Sequence, residues 1–374
     1  MKIGFEAKRI YHNKTGLGNY SRDLIRILAK YYPENDYFLY NPKKNESQIF
    51  ENSNVNIFEK NPRTKFFSIF KNFWRQKAIV SDLKKDNIKV FHGLSGEIPV
   101  GLKSKNIKSV VTIHDLIFLK MPELYSFWDR KIHTYKFRKA AKNSDIIVAI
   151  SEQTKKDIMS FFGIPESKIK VIYQSCHSMF KEKFDEKDFE TISSKFSLPE
   201  KFILNVGTIE PRKNIFLAVK AIKDIDAKLV IVGKETDYSL EIRKYISDNN
   251  LDEKIIFLKG LSLKELAILY QLATIFVYPS FYEGFGIPII EALFSKTPVI
   301  TTKGGVFPEA GGENSIYVDP NNVEEMQIAI LKLWKNPFLR DNIAQNGFEF
   351  VQKFNDREIA NQYMKIYNDL NSNN

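Results

Sequence analysis

The chain reads as two doubly wound α/β units in succession, and three observations predict this. Its 374 residues exceed the size at which one hydrophobic core usually keeps growing. Short apolar runs alternate with helical patterns, as parallel strands buried on both faces require. The alternation halts once, in the charged stretch 181–195 followed by Leu198-Pro199, and then restarts.

In the first half, residues 2–7, 37–40, 89–92, 109–114, 145–151 and 170–173 read as strands. In the second, 201–207, 228–233, 254–258, 274–278, 298–302 and 315–318 form the matching series. Beyond Val318 the pattern is helical, over 322–334, 337–354 and 357–370. The spacing therefore predicts a first domain over 1–185, a linker within 181–195, a second domain over 198–355 and a terminal helix within 356–374.

Hydrophobic content of 43% and charged content of 27% are those of a soluble globular protein. The single cysteine, Cys176, excludes an internal disulfide framework and fits a reducing compartment, and no metal site can be built from it. No apolar stretch approaches the roughly 18 residues of a membrane span, and the chain starts on a strand pattern instead of a signal peptide, so a cytoplasmic location is expected. Net charge is +11, unevenly spread: residues 1–197 carry 36 Lys+Arg against 22 Asp+Glu, while 198–374 carry 20 against 23. The first half is therefore expected to face a polyanion or an anionic membrane. Within it, Phe66, Phe67, Phe70, Phe73 and Trp74 fall at helical spacing among Lys71, Arg75 and Lys77, predicting over 65–79 a basic amphipathic helix on the inner membrane face, with an interior helix as the alternative.

In open α/β sheets, ligands bind beyond the carboxyl ends of strands. After the first strand, Gly16-Leu17-Gly18 reads as a Gly-rich loop leading into a helix, able to bring backbone against a phosphate. His114-Asp115 follows the 109–114 strand, its bland reading a satisfied histidine paired with its neighbour. Gly207 opens the loop carrying Arg212, Lys213 and Asn214. Two cations at a helix start oppose its dipole and call for an anion, such as a diphosphate. The stretch 278–294 places Glu283 on a loop and Glu291 in an otherwise apolar helix, where a carboxylate is costly unless something hydrogen-bonds to it. A sugar hydroxyl would suit, and the amides of Phe285 and Gly286 sit at a helix N-terminus fit for phosphate. The bland reading is a surface turn with one stray Glu.

Taken jointly, Gly16-Leu-Gly18, His114-Asp115, the segment Gly207 to Asn214 and the Glu283/Glu291 pair resemble family 4 glycosyltransferases, in particular bacterial mannosyl- and rhamnosyltransferase-like members. The resemblance implies the GT-B fold, two Rossmann-like domains facing a central cleft with C-terminal helices crossing back to the first. It implies a retaining, metal-independent transfer from a nucleotide sugar, GDP-mannose foremost, to a glycan or polyprenyl-linked oligosaccharide in cell-surface polysaccharide synthesis, with no cofactor. By the same resemblance Arg212 and Lys213 bind the diphosphate with help from Phe285, Gly286 and Gly207, and Glu291 holds the ribose. Glu283 and His114 meet the transferred sugar, and Gly16 and Gly18 close over the phosphates. Where the family commonly shows Ser-Ser-Leu-Pro-Glu, this chain has Gly304-Gly305-Val306-Phe307-Pro308-Glu309. The competing readings are a nucleotide-sugar epimerase of the same fold and a basic nucleic-acid-binding protein. No base-stacking module supports the second, so no nucleic-acid partner is expected.

Overall fold

The structure, a computed structural model, describes residues 1–43, 49–50 and 55–372. It divides into two compact units, Met1–Ser175 with Phe354–Asn374, and Cys176–Lys353. The first holds seven parallel strands: β1 (Lys2–Glu6), β2 (Asp36–Tyr40), β3 (Ile57–Lys60), β4 (Val90–Gly93), β5 (Lys108–Ile113), β6 (Ile146–Ala149) and β7 (Ile169–Val171). Their order is β3-β2-β1-β4-β5-β6-β7. The second holds β8 (Phe202–Val206), β9 (Lys228–Val232), β10 (Ile255–Leu258), β11 (Ile275–Tyr278), β12 (Val299–Thr302) and β13 (Ile316–Val318). Their order is β10-β9-β8-β11-β12-β13, and every pair in both sheets is parallel. Both orders reverse direction once, between β1 and β4 and between β8 and β11, as a doubly wound fold does.

Four features depart from the sequence expectations. Strand β3 is an edge strand whose middle residues are exposed, so it lacks the apolar run that marks its neighbours. The charged stretch taken as a linker contains the helix Glu186–Phe196, capped by Asp185 and bound by Lys264 to Asp188 at 2.8 Å. Phe189, Ile192 and Phe196 recur at helical spacing there, enough apolar surface to seat it on the helix Leu263–Leu272 of the second unit. Gly16 and Gly18 lie in the first turn of the helix Gly16–Tyr31 and not in a loop. A side chain at Gly18 would meet the Asn13 carbonyl oxygen at 2.0 Å, so that glycine lets the helix start pack on the preceding turn.

The fourth departure concerns 65–79, which is not one amphipathic helix. The segment breaks at Phe70 into helices Lys65–Ile69 and Lys71–Phe73, followed by a π-turn over Trp74–Ala78. Trp74 is fully buried, its indole N–H donating to Asp82 at 2.8 Å, whereas Phe66, Ile69, Phe70 and Phe73 are exposed. One tryptophan drawn into the core, with Phe67 packed at the edge of the same cluster, fixes the register and leaves Phe66, Phe70 and Phe73 outside. Among the described residues no helix is long and apolar enough to cross a membrane.

The helix Asp356–Ser372 completes the first unit. Ile359, Tyr363, Met364 and Tyr367 join the core of β1, β2 and the helix Gly16–Tyr31. A buried polar chain ties it to the sheet. His92 Nδ1 meets the Tyr367 hydroxyl at 2.7 Å and His92 Nε2 meets Thr112 Oγ1 at 2.8 Å. The Tyr20 hydroxyl bridges Thr112, at 3.2 Å, and Tyr363, at 2.6 Å. Burial, reinforced by His114 nearby, pushes the His92 imidazole down to about 3. An unfolded histidine takes up its proton near pH 6.5, so the stability that neutral His92 confers is complete above that value and drains away as pH falls from 6.5 toward 3. Each pH unit in that window costs about 1.4 kcal/mol per such histidine. Thermal melts between pH 7.5 and 4 are expected to fall more steeply for the wild type than for His92→Gln; parallel curves would show that His92 does not carry the acid sensitivity.

Candidate active site

In the second unit the sheet reverses at β8 and β11, and the crevice beyond their carboxyl ends is where such a sheet binds ligands. The loops leaving these two strands carry Gly207 to Asn214 and Pro279 to Gly286. They are laced together. Phe281 N–H donates to the Arg212 carbonyl at 2.9 Å, and Asn214 Nδ2 donates to the carbonyls of Pro279, at 3.2 Å, and Pro320, at 2.8 Å. Asn214 sits in the left-handed region at φ 51°, which asparagine tolerates better than most residues. Beneath them, a side chain at Gly233 would come within 1.8 Å of the Gly207 carbonyl oxygen, so Gly233 lets the two backbones touch.

The loops bring Arg212, Lys213 and Glu283 to one point. Lys213 Nζ donates to Glu283 Oε1 at 2.5 Å and to the Tyr278 hydroxyl at 2.7 Å, and that hydroxyl donates to Glu283 Oε1 at 3.0 Å. Arg212 Nη1 lies 2.9 Å from the same oxygen and 2.6 Å from the Tyr282 carbonyl, while Nη2 reaches Glu210 at 2.6 Å. Glu283 is only 9% exposed. Burial alone would raise its carboxyl, but Lys213 and Arg212 override that and hold it below the ordinary carboxylate range. Burial likewise works against the charge on Lys213 and Arg212, and Tyr278 and Glu283 for the first, Glu283 and Glu210 for the second, push both above their usual values. All three groups are thus ionised at neutral pH. The anion that the two cations call for is in the first place Glu283. Glu283 Oε2 has no partner among the described residues, and Lys213, with three protons and two acceptors, keeps one to give.

Glu291 lies one turn into the helix Ile287–Phe294, whose entry is set by Gly286 at φ 105° and by Pro288. Its Oε2 accepts from the Tyr270 hydroxyl at 2.9 Å, so a protein tyrosine meets part of the cost of placing a carboxylate there. Phe285 is buried. Tyr278 and Tyr270 were missed in the sequence: Tyr278 closes a strand and Tyr270 sits in an apolar helix, and each reads as core. Beyond the ends of β9 and β10 opens a hollow of about 620 Å³ lined by Gly233, Lys234, Glu235, Lys259 and Leu266.

His114 and the Gly16–Gly18 turn belong to the first unit, where the ring of Tyr20 stands edge-on to His114 at 4.5 Å. His114 Nε2–H donates to the Leu94 carbonyl at 2.9 Å and Nδ1 accepts from Gln174 Nε2 at 3.0 Å. Burial lowers the ring to about 4 against the pull of the Leu94 carbonyl. It is a neutral, doubly satisfied histidine, and its partners are these two groups and not Asp115, which accepts from Ile117 N–H. A polar hollow of about 600 Å³ in the same unit is lined by Lys8, Arg9, His12, Arg75, Gln76 and Lys136, among others.

Comparison with known proteins agrees with this architecture. Residues 186–350 match the family model described as glycosyl transferases group 1, and residues 15–175 match glycosyltransferase family 4. The O-antigen chain mannosyltransferase RfbU of Salmonella typhimurium is 33% identical over 229 residues, 61% of this chain and 61%, under two thirds, of its own. The O-antigen chain mannosyltransferase B of Escherichia coli is 24% identical over 98% of this chain and 99% of its own. An uncharacterised glycosyltransferase of Methanocaldococcus jannaschii, MJ1178, is 30% identical over 72% and 71%. Among solved structures, sucrose-phosphate synthase from Thermosynechococcus elongatus superposes with a TM-score of 0.80 at 22% identity over both whole chains. Anabaena HepE in complex with UDP superposes at 0.79 and 16% identity, covering 99% of this chain and 100% of that one. With two doubly wound units, paired cations at the second switch point and these matches, the chain belongs to the family 4 glycosyltransferases and has the GT-B fold.

Proposed function

We propose that this glycosyltransferase moves a hexose from a nucleotide-diphosphate donor to a glycan or lipid-linked acceptor in cell-surface polysaccharide synthesis, with retention at the anomeric carbon and without a metal ion. The observation that carries the reading is the convergence of Lys213 and Arg212 on Glu283 at the carboxyl edge of β8 and β11. Breaking the anomeric C–O bond builds positive charge on the ring and negative charge on the departing diphosphate. Cations already held in place stabilise that charge without reorganising at the moment of reaction. Lys213 offers its remaining proton to the diphosphate and Arg212 lies beside it, with the amides of Phe285 and Gly286 at the helix start as further donors. Gly207 keeps the loop below them free of side chain.

Glu283 plays two parts in this reading. Oε1 fixes the two cations, and Oε2 accepts from a hydroxyl of the donor sugar. Glu291 binds the ribose, and the hollow beside Lys234 and Lys259 takes the base. Mannose is favoured because two relatives bear the name O-antigen chain mannosyltransferase. GDP-mannose is thus the first donor to try, and a UDP-sugar the second, since UDP occupies the Anabaena neighbour. His114 enters as a neutral wall for the transferred sugar, not as a proton carrier, because both its nitrogens are engaged. The acceptor belongs to the first unit, whose polar hollow offers Lys8, Arg9 and Arg75. At that helix start Gly16 is exposed and would be the part offered to the phosphates, with Gly18 packed behind it on Asn13. Attack from the face the leaving group vacates accounts for retention without a protein nucleophile.

Two outcomes test the assignment. Lys213→Met is expected to lower kcat about 100- to 1000-fold, the usual weight of one oriented donor to a developing anion, while wild-type turnover persists in EDTA. Turnover that vanishes with chelation and returns with Mg²⁺ would overturn the charge assignment. In calorimetry with the nucleoside diphosphate, Glu291→Gln is expected to weaken binding about 10- to 100-fold. Glu283→Gln should bind it nearly as the wild type does yet turn over slowly, because its contact lies at the reacting end. Equal losses of affinity in both variants would sink the division of roles.

A further inference from the structure

Of the 18 large apolar side chains exposed among the described residues, 11 lie between Phe66 and Tyr135 of the first unit. The densest group is on the helix Phe127–Asn143. There Trp128 is 73% exposed, Tyr135 65%, Phe127 54% and Ile132 51%. Ala140 and Ala141 are buried, and Phe137 packs on Phe118 at 5.3 Å, so the helix is held by its later turns and by one face. Its outward face interleaves aromatics with cations. Lys131 lies 5.4 Å from the Phe127 ring centroid, and Lys139 lies 5.5 Å from that of Tyr135. The 17-residue helix carries six Lys and Arg and one acidic residue, Asp129.

This face is not a stray patch. Trp128, Ile132 and Tyr135 recur at helical spacing and, with Ile98, Pro99 and Val100, line an apolar hollow of about 370 Å³. Glu97 at its rim accepts from Gln76 at 2.9 Å and from Lys136 at 3.2 Å, and Val100 N–H donates to the Gln76 carbonyl at 2.8 Å. Those bonds fasten the helix to the segment that exposes Phe66, Ile69, Phe70 and Phe73, so two apolar groups share one rigid mount. Gln76, Glu97 and Lys136 also line the polar hollow of the same unit.

We infer that this face, the helix Phe127–Asn143 with the exposed aromatics of 66–73, docks the enzyme on an anionic lipid bilayer. The chemistry is that of an interfacial helix. Aromatic and aliphatic side chains enter the boundary between headgroups and acyl chains, and lysines reach to the phosphates above them. The helix's excess of cations, of which Lys136 is held by Glu97 and Arg138 by the Phe161 carbonyl, still selects an anionic surface over a neutral one and over a basic protein partner. The inference rests on the lipid-linked acceptor reading only for its purpose, since a docked first unit would meet such an acceptor where it resides. The surface itself stands on exposure and charge.

The test is vesicle co-sedimentation without donor or acceptor, so that its outcome is separate from transfer. Vesicles of phosphatidylcholine alone are compared with phosphatidylcholine containing phosphatidylglycerol. The wild type is expected to sediment with the anionic vesicles and to leave the neutral ones, with a blue shift of tryptophan emission that Trp128→Phe removes. Lys131→Gln with Lys139→Gln is expected to weaken binding about 30-fold, the weight of two lysines at an anionic surface. Trp128→Ser with Tyr135→Ser is expected to abolish the residual binding, and both variants should melt as the wild type does because the changed side chains are largely outside the core. No binding to anionic vesicles, equal binding to both kinds, or indifference to both double variants would overturn the proposal. So would a lipid-free dimer that the Trp128 and Tyr135 changes dissociate, for the face would then be covered by a second copy.

Discussion

Glu283 is nearly out of reach of water, and a carboxylate there stays charged only where cations repay its lost hydration. Lys213 and Arg212 do so, and each comes from the loop after β8 while Glu283 comes from the loop after β11. The pairing therefore holds two separate connections in one geometry. Phe281, Asn214 and Tyr278 only fit as they do if those loops stay together. Were the carboxylate missing, two neighbouring, half-buried cations on the loop after β8 would repel each other, with no opposite charge from the loop after β11 to hold them.

Such a cluster is a poor source of stability. Buried ion pairs roughly break even against apolar packing of the same shape, and their worth lies in fixing position. In the function proposed above, that position is what matters. An arginine whose fork is spent on Glu210, Glu283 and the Tyr282 carbonyl does not wander, and a lysine stem lodged beside Gly207 has few other rotamers to visit. On that proposal, an incoming anion would find the ordering entropy of these side chains already spent.

The fold was legible because parallel strands covered on both faces must be apolar throughout, and twelve such runs stand in the sequence. Strand β3 was not, since an edge strand with exposed Phe58 and Glu59 has no need of that pattern. The helix Glu186–Phe196 hid behind its charges, its apolar side being only three residues wide. At the site, Arg212, Lys213 and Glu283 were legible as chemistry, but not that they answer one another, because partners 70 residues apart are joined by topology alone. His114 shows the reverse. A histidine at a strand end invites a chemical role, and only Leu94 and Gln174, distant in sequence, reveal that its nitrogens are committed. The 65–79 stripe was not one helix because Trp74 belongs to the core and the segment breaks at Phe70, whereas in Phe127–Asn143 the exposed Trp128, Ile132 and Tyr135 are separated by charged and polar residues and so stand out less in the sequence.

The first unit is discontinuous: its last helix lies beyond the whole of Cys176–Lys353 in the chain. Tyr363 and Tyr367 close the polar network around His92 and Thr112, so while the ribosome is still making the second unit, the first has its sheet but an open flank. At common elongation rates that interval lasts roughly ten to forty seconds. The second unit, contiguous in sequence, can finish folding as it emerges. The order of synthesis is therefore not the order of completion, and the nascent first unit spends that interval with apolar surface on show, a substrate for chaperones before it is a partner for anything else.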